Sequence, residues 1–221
     1  IDMREFEVAK IVDCENVMKV YNKFVDKNGC QCFVFEYIEG MNLEKLLEQY
    51  KEKNLHIDVN LLLDIFKQCL NGLVELHKKE IMHRDIKLDN IILINKGEEK
   101  IIKFIDFGLS AIHSEDKNIN PILNKNISQG TVVGHVDYIA PEVLNKNYNM
   151  EVDIFSLGVN IFQLCTLINP FISSKDGKGG LKRERRNISI DKNIYPQKLI
   201  DLIERMINND PKKRPTAKKA Y

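Results

Sequence analysis

The chain has 221 residues, of which 43% are hydrophobic, and its 33 lysines and arginines nearly balance its 32 aspartates and glutamates. This length and composition predict a globular chain with one substantial core or two small ones. The formal charge of +1 provides no overall field that would attract nucleic acid or an anionic membrane, so neither is expected as a partner.

Cysteine usage and hydropathy bear on the cellular compartment. The five cysteines are an odd number and are scattered, mostly within apolar runs, which is typical of reduced thiols. Cys30 and Cys32 have no second pair that would complete a zinc site, so we interpret them as the start of a strand. No stretch approaches the length needed to span a bilayer. We therefore expect a soluble protein of the cytoplasm or nucleus.

The first forty residues are predicted to form a short region that contains β-structure. "IDMREFEVAKIV" has the pattern of a helix and runs into "NVMKVYNKFV". After a turn at Asn28 and Gly29, "CQCFVFEYI" has strand character.

From Asn42 onwards the pattern is mainly helical. Leucines recur at helix spacing after Leu43 and again from Leu62 to Leu76, which predicts two helices. The exception is "IILINKGEEKIIKFID", where two apolar runs around a polar glycine turn predict a β-hairpin. "EVDIFSLGVNIFQLCTL" is apolar nearly all round and predicts a buried helix. "KLIDLIERMINND" predicts a final amphipathic helix.

Two short motifs flank the predicted hairpin. "HRDIKLDN" at 83–90 precedes it and "KFIDFGLS" at 103–110 ends it, so Asp85, Lys87, Asn90 and Asp106 would meet at one rim. Carboxylate and amide oxygens are ligands that magnesium prefers, and a lysine can balance phosphate charge. An aspartate before Phe-Gly could instead cap a turn, and an Arg-Asp pair could be structural. The combination around one hairpin favours a polyphosphate site with a divalent metal.

The order HRD-x-K-x-x-N followed by D-F-G resembles the signature set of eukaryotic protein kinases. "YIAPEVL" carries the A-P-E triplet, "DIFSLG" resembles the family's D-x-W-S-x-G helix, and "KKRP" supplies Arg214. The resemblance covers essentially the whole chain. It implies an α+β, protein-kinase-like fold in which 1–40 is a truncated small N-lobe and 41–221 a mainly helical C-lobe, with an activation segment at 106–142. Glu142 would pair with Arg214, and Asp153 would brace the backbone around Arg84.

The resemblance also implies a nucleotide site and a catalytic set. Phe35 would be the gatekeeper, Glu36 to Ile38 would offer backbone groups to adenine, and Ile92 would form the floor under the ring with Leu43 near its edge. In the catalytic set, Asp85 would orient the substrate hydroxyl and Lys87 would stabilise the transferring phosphoryl group, while Asn90 and Asp106 would hold magnesium.

The function implied is transfer of the ATP γ-phosphoryl group to Ser or Thr of protein substrates, with ATP and Mg²⁺ as cofactors. Lys87 favours the serine/threonine type, and "KIIKFIDFGLS" leans towards the calcium/calmodulin-dependent type. The alternative is a pseudokinase, a binding scaffold without turnover, which the intact catalytic set disfavours. A kinase acting on small molecules is disfavoured by the A-P-E segment and Lys87.

Two departures from the family pattern limit the expected activity. The Gly-rich loop and the Val-Ala-x-Lys strand are not in these residues, so Glu5, which in register is the partner of that lysine, would lack it here. We therefore expect residues 1–221 by themselves to be an inactive fragment of a longer kinase. His135 stands where serine/threonine kinases usually carry a threonine whose hydroxyl bonds the catalytic aspartate and lysine.

The polar segment at 110–133 is too long for an ordinary connection, which predicts a functional or disordered loop. Kinases with an arginine before the catalytic aspartate are commonly activated by phosphate in this loop. Thr131 is the first candidate acceptor and Ser128 the second, with Arg84 as the group that binds the phosphate. His83 is expected to be packed inside, and His77 to lie at the surface.

Overall fold

Helices and small antiparallel sheets alternate along the chain. The computed structural model describes residues 3–112, 137–145, 148–175 and 181–221. The helices of these residues are α1 (Met3–Ile11), α2 (Leu43–Glu52), α3 (Val59–Lys78), α4 (Glu151–Thr166), α5 (Gln197–Met206) and α6 (Ala217–Ala220). The strands are β1 (Val20–Val25), β2 (Gln31–Phe35), β3 (Met41–Asn42), β4 (Ile81–Met82), β5 (Ile91–Lys96), β6 (Glu99–Phe104), β7 (Ala111–Ile112), β8 (Phe171–Lys175) and β9 (Leu181–Arg185). The predicted α+β class is confirmed.

The N-terminal part consists of α1 and the β1–β2 hairpin. The two strands pair antiparallel, with Val25 opposite Gln31. Their turn is held by the Asp26 carboxylate, which accepts 2.8 Å hydrogen bonds from the backbone N–H groups of Asn28 and Cys30. The predicted turn at Asn28 and Gly29 is therefore confirmed, and the strand before it was not anticipated.

Backbone and side-chain hydrogen bonds of the segment before β1 join this part to the rest of the molecule. The backbone of Asn16 and Met18 exchanges hydrogen bonds with Phe104 in β6, at 2.9 and 3.0 Å. The Asn16 amide also donates to Gln68 on α3 and to the carbonyl of Ile102. These bonds fix α1 and the first hairpin against β6, the strand that leads directly to Asp106.

The β5–β6 hairpin is present as predicted, with Ile91 opposite Phe104. Strand β3 pairs antiparallel with the free side of β5, where Asn42 lies opposite Ile92. Gly40 is required just before β3, because a Cβ at this position would lie 2.5 Å from the Leu93 carbonyl oxygen. The segment after β2 can therefore lie directly against β5.

The largest helices form the core below this sheet. Helix α4 is buried along nearly its whole length, as its apolar sequence predicts, and α3 packs between it and β6. An asparagine at 42 and an aspartate at 58 cap α2 and α3 through their side-chain oxygens. Within the described residues, no helix is long and apolar enough to cross a membrane.

A second hairpin, β8–β9, follows α4 and precedes α5 in the chain, and it was not predicted. Its strands pair from Phe171 opposite Arg185 to Lys175 opposite Leu181. The expectation that only one hairpin interrupts the helical part was therefore wrong. The hairpin has no pattern of alternating apolar residues. It packs against the molecule through the Arg183 guanidinium, which lies 4.9 Å from the ring centroid of Phe155 and 4.5 Å from that of Phe171.

Candidate active site

The backbone of the HRD motif is held by one buried carboxylate. Asp153 in α4 accepts hydrogen bonds of 2.9 Å from the N–H groups of His83 and Arg84. Arg84 has a φ of +66°, a left-handed conformation that a non-glycine residue adopts at a cost of about 1–3 kcal/mol. The two bonds therefore stabilise a strained residue that directly precedes Asp85.

His77 completes this arrangement from α3. Its Nε2 lies 3.0 Å from Asp153 Oδ2, with 12% of the His77 side chain exposed. The expectation that His77 lies free at the surface was therefore wrong. Burial by itself raises the pKa of the Asp153 carboxyl, but the hydrogen bond and charge of His77, the charge of His83 and the N–H of Arg84 together hold that pKa below its usual value.

His83 is packed inside, as expected. Its ring centroid lies 5.6 Å from that of Phe104 and 4.8 Å from that of Phe107. Burial lowers the pKa of His83, and the negative charges of Asp153 and Asp85 only partly oppose this. The imidazole is therefore neutral near pH 7.

Three of the four predicted catalytic residues form a connected polar group. The Asn90 amide donates 2.9 Å bonds to the Asp85 carbonyl and to Asp85 Oδ2. Lys87 Nζ lies 3.3 Å from the same carboxylate oxygen, and only 8% of the Asp85 side chain is exposed. The Asp85 carboxylate is thus fixed in direction by a lysine and an amide.

Asp106 follows β6 at the same end of the hairpin. The N–H of Ile105 donates a 3.0 Å bond to the Asn90 carbonyl, which ties the two motifs together. Asp106 itself is exposed and has a φ of +62°. Its carboxylate accepts a 3.3 Å bond from the N–H of Gly108.

These side chains fit the magnesium site that the sequence predicts. Both donor bonds of the Asn90 amide go to Asp85, which leaves its oxygen as an acceptor, and the exposed Asp106 carboxylate lies at the same end of the hairpin. Two protein oxygens suit Mg²⁺, which retains waters and binds substrate phosphates. Among the described residues, no cluster of three His, Cys, Asp or Glu side chains offers an alternative metal site.

The predicted hinge residues lie beside a buried ion pair. Glu36 Oε1 lies 2.9 Å from Lys103 Nζ and accepts a 2.6 Å bond from the N–H of Lys19. Lys103 also donates to the Glu15 carbonyl. The segment after β2 is thus fixed to β6 by a charge pair that the sequence alone did not indicate.

The other predicted nucleotide contacts differ in their accessibility. Phe35, Ile38 and Ile92 are partly buried, which leaves part of each side chain open to a ligand. Leu43 is fully buried in the core. Its side chain therefore presents no surface to an adenine ring, and this expected contact is corrected. Glu5 lies half-buried in the first turn of α1.

Arg84 extends towards the predicted activation segment. Its Nε donates a 2.6 Å bond to the Leu109 carbonyl and its Nη1 a 3.1 Å bond to the Tyr148 hydroxyl. Its Nη2 is buried and has no hydrogen-bond partner among the described residues. The predicted acceptors Thr131 and Ser128, together with His135, lie outside the described residues.

The expected pair of Glu142 and Arg214 is present. The guanidinium donates to both carboxylate oxygens, at 2.5 and 2.9 Å. It also donates to the carbonyls of Asn208 and Glu151. The pair anchors the end of the predicted activation segment to the C-terminal region.

Comparison with known proteins agrees with this architecture. The family model described as "Protein kinase domain" matches residues 2–221. The probable serine/threonine-protein kinase nek2 of Dictyostelium discoideum is 28% identical over 218 residues, which is 96% of this chain and 49% of that protein. Calcium-dependent protein kinase 4 of Plasmodium falciparum is 32% identical over 209 residues, covering 93% of this chain and 37% of that protein. Calcium-dependent protein kinase 27 of Arabidopsis thaliana is 30% identical over 227 residues, covering 97% of this chain and 43% of that protein.

The chain thus spans half or less of the length of each of these relatives. The relatives are of two kinds at similar identity, so the leaning towards the calcium/calmodulin-dependent type stays a prediction. The family match nevertheless extends over nearly every residue, and the two motifs that carried the sequence prediction meet at one end of the β5–β6 hairpin. The chain belongs to the protein kinase domain family.

Proposed function

We propose that the protein to which this chain belongs transfers the γ-phosphoryl group of ATP to serine or threonine hydroxyls of protein substrates. The observation that carries this proposal is the group formed by Asp85, Lys87 and Asn90. Its carboxylate is nearly buried, lies 3.3 Å from an ammonium and accepts a 2.9 Å amide hydrogen bond. Such a fixed anion can accept the hydrogen bond of a substrate hydroxyl and orient its oxygen for attack.

The remaining residues have positioning and electrostatic roles. Lys87 offsets negative charge as the phosphoryl group moves, because its ammonium lies beside the acceptor site. Asn90 and Asp106 would hold Mg²⁺, which when bound neutralises charge on the phosphates. Phe35, Ile38 and Ile92 would contact the adenine ring, with the backbone at Glu36 supplying hydrogen bonds. Glu5 would take part only where a lysine partner is available.

A pair of substitutions separates these roles in the full-length protein. Asp85→Ala is expected to abolish phosphoryl transfer while ATP binding persists, because Asp85 acts on the hydroxyl. Asp106→Ala is expected to remove the magnesium dependence of ATP binding. Asp64→Ala, an exposed acid on α3, is the matched control and should change neither.

The assays are turnover of a Ser/Thr peptide and ATP titration with and without magnesium. Unchanged turnover in Asp85→Ala would exclude the proposed role of this residue. A wild-type protein that binds ATP without any turnover would favour the pseudokinase alternative. Residues 1–221 by themselves are expected to show no turnover.

A phosphate-dependent switch follows from the position of Arg84. Its buried Nη2 has no partner among the described residues, and an anionic acceptor would satisfy it. We expect phosphate on Thr131, or next on Ser128, to bind this guanidinium. Mass spectrometry of the active protein and assays of Thr131→Ala and Arg84→Ala test this. Full activity in the Thr131 variant, with no phosphate found there, would contradict it.

The expected setting is the cytoplasm or nucleus, which imaging of the tagged full-length protein would test.

A further inference from the structure

A cavity of about 870 Å³ lies between the β8–β9 hairpin, the end of α5 and residues 139–141. Its volume falls in the range of pockets that bury most of a bound ligand, about 300–1,000 Å³. The side chains that matter for its chemistry are Phe171, Arg183, Arg185, Glu204 and Arg205. None of them belongs to the candidate active site.

The wall of this cavity, which we call the arginine cavity, carries more positive than negative charge. Three arginines and one glutamate line it. Arg185 Nη2 lies 2.7 Å from both carboxylate oxygens of Glu204, so these two charges offset each other. Arg183 and Arg205 remain, which leaves an excess of positive charge among the side chains that line the cavity.

Neither remaining arginine forms a side-chain ion pair within the described residues. Arg183 lies over the rings of Phe155 and Phe171 and donates to the carbonyl of Ile139, a neutral acceptor. Burial and the nearby charge of Arg214 lower the pKa of Arg183, and the negative charges of Glu142 and Asp137 partly oppose this shift. Arg205 is exposed and forms no side-chain ion pair with the described part of the chain.

These contacts favour an anionic ligand with carboxylates or phosphates, because guanidinium groups bind such oxygens in planar pairs. A nucleic acid is disfavoured because single strands need open aromatic rings for base stacking. The ring of Phe171 is 6% exposed and is covered by Arg183.

The position of the cavity indicates where such a ligand comes from. Ile139, Ala140 and Pro141 form one wall and run directly into Glu142, at the end of the predicted activation segment 106–142. A peptide that lies against this wall can belong to the same protein whose hydroxyl is presented to Asp85. We propose that the arginine cavity binds an acidic segment of a protein substrate, away from the phosphorylated residue. This inference rests on the proposed kinase function.

The test measures binding of a labelled oligoglutamate peptide without Ser or Thr to the full-length protein by fluorescence anisotropy. Arg205→Glu is expected to weaken binding about tenfold, because it reverses an exposed charge in the wall. Arg183→Leu keeps apolar contact with the rings and is expected to weaken binding similarly. Lys198→Glu is the matched control: it makes the same charge change on the same helix, outside the cavity, and should have little effect.

Several outcomes would overturn the inference. Equal losses in Arg205→Glu and Lys198→Glu would show that only net charge matters. Absence of wild-type binding at low ionic strength, or tighter binding of a single-stranded oligonucleotide of equal charge, would also exclude an acidic peptide. Binding that is weakened specifically in both cavity variants and lost at about 1 M salt supports it.

A second measurement separates this inference from the proposed function. Asp85→Ala should still bind oligoglutamate, although it should not phosphorylate any substrate. In Arg205→Glu, kcat/KM should fall for a Ser/Thr peptide with an acidic extension and stay unchanged for the peptide without it. Turnover without oligoglutamate binding would exclude only the proposed role of the arginine cavity. Oligoglutamate binding without any turnover would exclude only the proposed kinase function.

Discussion

Replacing Arg214 by Met should strongly destabilise the folded chain. The Arg214 side chain has no exposed surface, and that of Glu142 is only 12% exposed. The guanidinium donates to both Glu142 oxygens and to the Asn208 and Glu151 carbonyls, and it lies 4.8 Å from the ring centroid of Phe155. A methionine can retain the contact with the ring but none of the hydrogen bonds.

The size of the expected loss in the free energy of unfolding follows from the Glu142 carboxylate, which the substitution leaves unpaired. Breaking a buried ion pair by removing one partner costs about 3–5 kcal/mol, because the other charge stays buried and unpaired. Domains of ordinary stability unfold with about 5–15 kcal/mol, so Arg214→Met should remove a large share of the total. Removing both charges in Arg214→Met/Glu142→Leu leaves no unpaired carboxylate, and this double variant should recover part of the loss.

Equilibrium unfolding in urea, followed by circular dichroism, measures the difference in the free energy of unfolding. The matched control is Arg185→Gln, because the Arg185–Glu204 pair also engages both carboxylate oxygens but is 43% and 39% exposed. An exposed pair contributes about 0–1 kcal/mol. Equal losses in Arg214→Met and Arg185→Gln, or no recovery in the double variant, would refute the argument from burial.

Three further predictions concern buried ionisable groups. Burial lowers the pKa of His83 in the folded chain, so as the pH falls this histidine is protonated in the unfolded chain first. The stability that neutral His83 contributes above about pH 6.5 should therefore be lost as the pH falls from 6.5 towards the folded-state pKa. His83→Phe should flatten that slope in thermal unfolding between neutral and acidic pH. His77→Ala should cost about 1.5–3 kcal/mol in urea unfolding, since it removes a bond to the buried Asp153 carboxylate; a loss within error would contradict the assigned pair. Lys103→Met should cost about 3–5 kcal/mol, and the double variant with Glu36→Leu should cost less than Lys103→Met alone, as chemical denaturation can establish.

The elements that the sequence predicted correctly are those with strong local signals. The β5–β6 hairpin has two apolar runs around a polar turn, and α4 is apolar nearly all round. Hydrophobic periodicity decides such elements because burial dominates their energetics. The hairpin β8–β9 has no such pattern, since "FISSK" and "LKRER" contain few apolar residues. Its packing uses arginine side chains on aromatic rings, which depends on where α4 lies.

The residues of the candidate site likewise differ in whether a local sequence pattern could reveal their contacts. The proximity of Asp85, Lys87 and Asn90 could be predicted because these residues stand within one short motif next to one hairpin. The pair of Lys103 and Glu36 could not, because 67 positions separate the two residues and only the fold makes them neighbours. His77 was likewise unrecognisable, since its partner Asp153 lies 76 positions away. The burial of Leu43 depends on which side of α2 faces the core, which a leucine-rich pattern leaves open.

The two aspartates of the candidate site owe their positions to backbone that the sequence pattern does not reveal. Arg84, which precedes Asp85, and Asp106 itself both have left-handed φ values, +66° and +62°. Each such conformation costs about 1–3 kcal/mol and persists only where surrounding contacts impose it. For Arg84 those contacts come from Asp153 on α4, which is held in turn by His77 on α3. The direction of the Asp85 carboxylate therefore depends on the packing of two helices that contribute no side chain to the candidate catalytic set. Substitutions between α3 and α4 should thus lower the proposed phosphoryl transfer of the full-length protein, measured as peptide turnover, before they unfold the chain.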